Sequence, residues 1–183
     1  MLSLIKYFHS VVSNANISVA KASDIPELVR LINSAYRNSD SVKGWTTEAE
    51  LFEGSRATPD SLKYLLDQPQ SAILKYSKDN KIVGSVYLQK NRSQMYLGVL
   101  AVSPEFQDRG IGRELLAAAE EYASKHNCNR IMMTVISIRR ELVDWYKRRG
   151  YRETGEVNPF PDDKVNRPKQ PLELLVLEKE IDN

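Results

Sequence analysis

Residues 103–115 read "SPEFQDRGIGREL". Gly110 and Gly112 stand one residue apart between Arg109 and Arg113. An apolar run ending at Val102 precedes them, and an apolar-periodic run follows. A strand, a short loop and a helix start in that order aim several unpaired backbone N–H groups at one spot. The helix dipole favours negative charge there, and a residue without Cβ lets a phosphate come close. Arg109 and Arg113 can add charge-assisted contacts. Two common phosphate loops are excluded. A dinucleotide fingerprint needs a third glycine where Leu115 stands and an acidic residue after the next strand, where Ser137, Arg139 and Arg140 stand. A nucleoside-triphosphate loop needs Gly-Lys-Ser/Thr, which this stretch lacks.

Working outward, "ISVAKASDIPELVRLINSAY" predicts a short strand and then a helix, with Asp24 as N-cap and Glu27 three residues on. "TTEAELFEG" and "TPDSLKYLLDQ" predict two shorter helices. "SAILKYSKDNKIVGSVYLQKNRSQMYLGVLAVS" breaks at "KDNK" and "KNRSQ" into three hairpin-linked strands. The third, Met95 to Val102, is apolar on both faces and belongs in the centre of a sheet. Ile111, Leu115, Ala118, Ala119 and Tyr122 then stripe one helix, "RIMMTVISI" is a buried strand, and "RRELVDWYKRRG" is a second helix stopped at Gly150. "YRETGEV" and "LELLVLEKEI" close the chain as strands around a proline-rich loop. The expected fold class is α/β, a mixed and mainly antiparallel central sheet flanked by helices. One strand, helix, strand crossover makes its centre parallel.

A chain of 183 residues fits one domain with a sizeable core, and 42% hydrophobic with 27% charged residues is ordinary globular composition. Residues 1–16 are expected to be an N-terminal extension and 17–183 the domain. The extension, with only Lys6 and Lys21 basic among the first 23 residues, is a poor targeting peptide. Net charge of +2 calls for no nucleic acid or anionic surface as partner. No apolar run is long enough to cross a bilayer. A lone cysteine and two histidines offer no disulfide and no metal-ligand spacing, so no metal is expected and the expected location is the reducing cytoplasm. Cys128, at the start of an apolar strand, is expected to be packed rather than reactive.

The chain resembles the GNAT superfamily of acyl-CoA-dependent N-acetyltransferases from about Ile17 onward. Gln107, Gly110 and Gly112 match the Gln/Arg-x-x-Gly-x-Gly/Ala signature after "LGVLAVSPEF", and "WYKRRGY", residues 145–151, matches the aromatic-Tyr-x-x-x-Gly-Phe/Tyr element. The resemblance implies the acyl-CoA N-acyltransferase fold, acetyl-CoA as donor and a small-molecule or peptide amine as acceptor; a homodimer is left open. It further implies that two parallel strands splay to admit the pantetheine arm. Backbone groups of Leu100 and Val102 would bind its amides, the amide N–H near Leu100 or Ala101 would polarise the thioester carbonyl, and Gln107, Asp108, Arg109, Gly110, Ile111, Gly112 and Arg113 would hold the pyrophosphate. Tyr146 matches the tyrosine general acid. Trp145 is assigned to the core. Two positions depart from the family pattern. Arg139 replaces an asparagine and is either a cofactor contact or a solvated helix start, and Tyr96 stands where some members carry a glutamate base. Tyr36, Trp45 and Glu53 are candidates for the acceptor pocket, with Glu48 and Glu50 as further carboxylates, and the base is unassigned. A non-catalytic acyl-CoA sensor is the rival expectation.

Overall fold

A computed structural model describes residues 13–37, 46–161 and 166–181. Two 3-10 turns aside, its elements are β1 (Ile17–Val19), α1 (Ile25–Arg37), β2 (Phe52–Glu53), α2 (Pro59–Asp67), β3 (Ser71–Lys78), β4 (Lys81–Asn91), β5 (Gln94–Val102), α3 (Ile111–Lys125), β6 (Arg130–Ile136), α4 (Arg140–Lys147), β7 (Arg152–Pro159), β8 (Arg167–Pro168) and β9 (Glu173–Glu180). Seven strands form one sheet in the order β1-β3-β4-β5-β6-β9-β7, and β2 pairs with β8 in a small second sheet. Every pairing is antiparallel except β5 with β6, the pair joined through α3. The expected mixed sheet is present.

Sequence pattern explains the layers. The stripe on α3 buries Ile111, Leu115, Leu116, Ala119 and Tyr122 on one face of the sheet, in a cluster that also takes Val143 and Tyr146 of α4. Leu28, Leu31, Ile32 and Ala35 of α1 bury on the other face with Leu62 of α2. Thr58 caps α2 through Ser61 N at 3.1 Å, and Pro59 follows where a missing N–H costs nothing. Cys128 is wholly buried, which pushes its thiol up. Within the expected extension, Ser13 bonds Glu121 and Asn14 bonds Glu114, both on α3; residues 1–12 lie outside the described part.

Two local expectations are corrected. Asp24 does not cap α1. It ends a preceding 3-10 turn, accepts from Lys21 N at 2.7 Å and pairs with Lys75 Nζ at 2.7 Å, while Glu27 accepts from Ile82 N. "TTEAELFEG" is not a helix. Over its described part the backbone makes turns and then β2, because tertiary partners claim it: Glu48 N donates to Tyr36 O, Glu48 pairs with Arg37 at 3.1 Å, and Phe52 packs on Phe160.

Helix α3 crosses β4 at Gly84 for want of room. A Cβ there would lie 2.8 Å from Leu115 Cδ1 and 3.0 Å from Ile111 Cγ2. Gly84→Ala should therefore cost about 1–3 kcal/mol by overpacking, read as a lower urea midpoint at unchanged m-value. An unchanged midpoint would show that α3 can shift.

Candidate functional site

β5 and β6 pair only where Gln94, Met95 and Tyr96 face Arg130, Ile131 and Met132. Past that point β5 stays with β4 and β6 with β9, so the neighbours part and a gap opens through the sheet. The gap explains why Tyr96 is 39% exposed and Gly98, Val99 and Leu100 are half-buried in a strand expected to be covered on both faces. The strand is bulged at the same place. Ser85 faces Ala101 and Tyr87 faces Gly98, so Val86 alone stands against Val99 and Leu100. Val99 takes φ +49°, left-handed backbone that β-branched residues seldom adopt. Ser103 N donates to Val83 O at 2.9 Å, and antiparallel alternation then turns the Val102 amide and carbonyl away from β4, toward the gap.

Two side chains serve this edge. The Tyr36 hydroxyl donates to Leu100 O at 2.7 Å, and Gln107 Nε2 donates to Val102 O at 3.1 Å and to Thr46 Oγ1 at 3.3 Å. Thr46 in turn donates to Ala35 O. The end of α1, Thr46 and the loop after β5 are thus stitched together.

A cleft of about 560 Å³ follows the gap. One end is the start of α3, where Asp108 and Gly110 take positive φ, at +60° and +84°, and the N-cap glycine has no side chain to cap the first turn. The amides there lack intrahelical acceptors. Arg109, Arg113 and Arg149 line the same end, with Asp108 the one carboxylate among the described lining residues. Arg149 stacks on Trp145 with Cζ 3.6 Å from the ring centroid and donates to Trp145 O at 2.6 Å; burial, with Arg148 and Arg113 nearby, pulls its guanidinium pKa down. Concentrated positive charge beside free amides is a site for a polyanion. A Cβ on Gly112 would meet nothing closer than Trp145 Cζ2 at 3.7 Å, so packing does not demand glycine there.

The other end holds two tyrosines. Tyr36 reaches it from the α1 face and Tyr146 from α4 on the opposite face. Tyr146 is 9% exposed and packs edge-on to Trp145 and Tyr151, with ring centroids 4.9 and 5.7 Å away. Its hydroxyl makes no hydrogen bond to another described residue. Burial, with Tyr36 adding to it, holds the Tyr146 phenol far above its ordinary range, so the group stays protonated.

The model of the acetyltransferase (GNAT) domain matches residues 38–162. The chain belongs to the GNAT family. It is 28% identical over 153 residues to YhfO of Bacillus subtilis (strain 168), an uncharacterized N-acetyltransferase, covering 78% of this chain and 94% of that one. Two solved structures share the fold. A probable acetyltransferase from Staphylococcus epidermidis ATCC 12228 superposes with TM-score 0.69 at 16% identity, covering 90% of this chain and 98% of that one. The ribosomal-protein-S18-alanine N-acetyltransferase of Escherichia coli superposes with TM-score 0.68 at 14% identity, covering 91% and 94%. This GNAT protein is therefore an acyl-CoA-dependent acetyltransferase.

Most of the expected site residues meet in the cleft: Leu100 and Val102, the run from Gln107 to Arg113, Tyr36 and Tyr146. Ala101 does not line it. That residue is wholly buried opposite Ser85, with its side chain in the core under α1. Glu53 is exposed on β2 and Glu50 is exposed on the preceding turn; neither lines the cleft, and Trp45 lies outside the described residues. Glu48 is buried against Arg37 and does not line the cleft either. Arg139 neither faces the cofactor loop nor stands solvated at a helix start. Its Nη1 donates to Thr47 O at 2.8 Å and its Nε pairs with Glu141. Sequence reasoning missed Thr46, Phe106, Leu142 and Arg149, and placed Trp145 in the core, although its indole lines the cleft. Arg149 lies in the turn after α4, and no spacing in the sequence marks it; only the packing of α4 against the start of α3 brings it to the cleft.

Gly112→Ala should leave stability within about 1 kcal/mol, since the added methyl makes ordinary contacts and alanine suits a helix. Valine at the same position, whose branched side chain would occupy the pyrophosphate's place, should weaken CoA at least tenfold by calorimetry. Equal affinity in the folded variant would remove Gly112 from the phosphate site. Alanine at Arg109 or Arg113 should weaken CoA more at low salt than at high salt, because exposed charge is screened. A salt-independent loss would assign these arginines to architecture.

Proposed function

We propose that this GNAT enzyme moves the acetyl group of acetyl-CoA directly to a primary amine of a small molecule or peptide, with both substrates bound together. The observation that carries the reading is the Tyr146 hydroxyl, without a hydrogen-bond partner among the described residues, in a cleft that also holds an unpaired strand edge and a cationic helix start. The residues present fit the donor. Amides from Gln107 to Arg113, with Arg109, Arg113 and Arg149 around them, hold the pyrophosphate, and the space beside Gly112 admits it. Backbone groups of Leu100 and Val102 bind the pantetheine amides along the open edge of β5. The amide at the Val99–Leu100 bulge polarises the thioester carbonyl, an oxyanion-hole role. Acetyl-CoA supplies an activated acyl group and a thiolate leaving group.

Tyr146 delivers a proton to that thiolate, and the proton that the attacking nitrogen sheds passes to water, from which Tyr146 is reprotonated. Its raised pKa suits a donor that must be neutral in the resting enzyme. Tyr36 and Thr46 form the acceptor side, where the amine attacks the carbonyl carbon as a neutral nucleophile. Cys128 is sealed in the core with its thiol pushed up by burial, which favours direct transfer over an acyl-cysteine.

Tyr146→Phe keeps the ring and removes the donor. With an amine found by a thiol-release screen, kcat should fall by roughly 10²-fold with CoA affinity nearly unchanged. The sign of the pH effect follows from the shift. A phenol raised above its usual value of about 10 stays protonated throughout the neutral and mildly alkaline range, so Tyr146 should impose no alkaline decline below about pH 10 in the parent. Turnover of the phenylalanine variant within twofold of the parent would return Tyr146 to a packing role and leave proton delivery to water.

A further inference from the structure

The bulge in β5 is held from outside the strand. Val99 sits at φ +49° and, with Leu100, stands opposite Val86 alone, so the ladder with β4 does not by itself set their carbonyls. Such a conformation persists only where its surroundings over-determine it. The group that does so here is the Tyr36 hydroxyl, which donates to Leu100 O at 2.7 Å. Tyr36 is itself pinned. Its carbonyl accepts from Glu48 N at 2.8 Å, the Arg56 guanidinium lies 5.4 Å over its ring, and the residue is 9% exposed. Burial, then Glu48, raises its phenol, so the donated hydrogen is present across the working pH range. A bond from a buried helix to a strained strand carbonyl is a device for aiming the adjacent peptide.

We propose that Tyr36 is the positioning residue for acyl activation: its hydroxyl locks the Leu100 carbonyl and so holds the Val99–Leu100 bulge in the one geometry that turns a backbone amide on the thioester. It acts through the strand and not on the acetyl group. This rests on the placement of the thioester at the bulge, and the two can fail separately. A misaimed oxyanion donor costs rate without costing ground-state affinity, because most CoA contacts lie elsewhere along the cleft.

The test uses the full chain and acetyl-CoA labelled with ¹³C at the carbonyl, followed by difference infrared spectroscopy, which needs no acceptor. Binding to the parent should move the carbonyl stretch to lower frequency. In Tyr36→Phe the shift should shrink to half or less, with CoA affinity by calorimetry within twofold and circular dichroism unchanged. With an accepted amine, kcat should fall about tenfold while the KM for acetyl-CoA holds. Val99→Gly added to Tyr36→Phe should restore part of the shift, since glycine occupies the left-handed region without strain. An undiminished shift in Tyr36→Phe would overturn the role of Tyr36 alone. A loss that Val99→Gly does not restore would also overturn it, by showing that Tyr36 acts through direct contact with substrate. No shift in the parent would overturn the thioester placement and the proposal with it.

Discussion

β5 cannot keep both of its neighbours. Through Tyr96 it bonds β4 on one side and β6 on the other; beyond Tyr96 only β4 remains, and β6 turns its bonds to β9. The cost is an edge of backbone polar groups in the middle of the sheet, where bare groups are not tolerated. Protein side chains satisfy part of it, Tyr36 at Leu100 and Gln107 at Val102. What is left is an extended backbone edge in a cleft of about 560 Å³, able to take a ligand that presents amide groups along its length. The helices are placed by the same parting. α3 returns the chain from β5 to β6 and so starts at the mouth of the gap, and α4 follows β6 directly and presents Tyr146 to it.

The site is then a junction of two faces. Arginines and free amides come from the α3 and α4 side, and Tyr36 comes from the α1 side, so an acceptor and a donor can approach the same point from opposite directions. Gln107 joins the two, bonding the β5 edge and Thr46 with one amide group, and Arg139 holds Thr47 from the start of α4. Thr46 is therefore part of the wall. The family assignment from residues 38–162 and the shared fold agree with this construction, and they make the chain an acetyltransferase rather than a passive sensor.

Much of this was legible in the sequence because it depends on local rules. Strand breaks at "KDNK" and "KNRSQ", the α3 stripe and the glycines at its start follow from periodicity and from backbone freedom, which neighbours in sequence decide. Central placement of β5 followed from apolar residues on both faces. Gly110 and Gly112 followed from the need for close approach at a helix start, and Tyr146 from its place in the "WYKRRGY" element.

Tertiary structure alone decided the rest. That Ala101 faces β4 while Leu100 and Val102 face the gap depends on one extra residue in one strand, and a single-residue shift reverses every side of a strand. "TTEAELFEG" has helical composition, yet Arg37, Tyr36 and Phe160 take its groups, and long-range bonds outweigh propensities of a few tenths of a kcal/mol per residue. Trp145 and Arg149 belong to the site because α4 lies against the start of α3, a distance in space with no counterpart in spacing. The sequence by itself determined which elements form and where an anion can be held. Which strands part, and therefore which side chains face one another across the gap, was decided by the packing of the whole sheet.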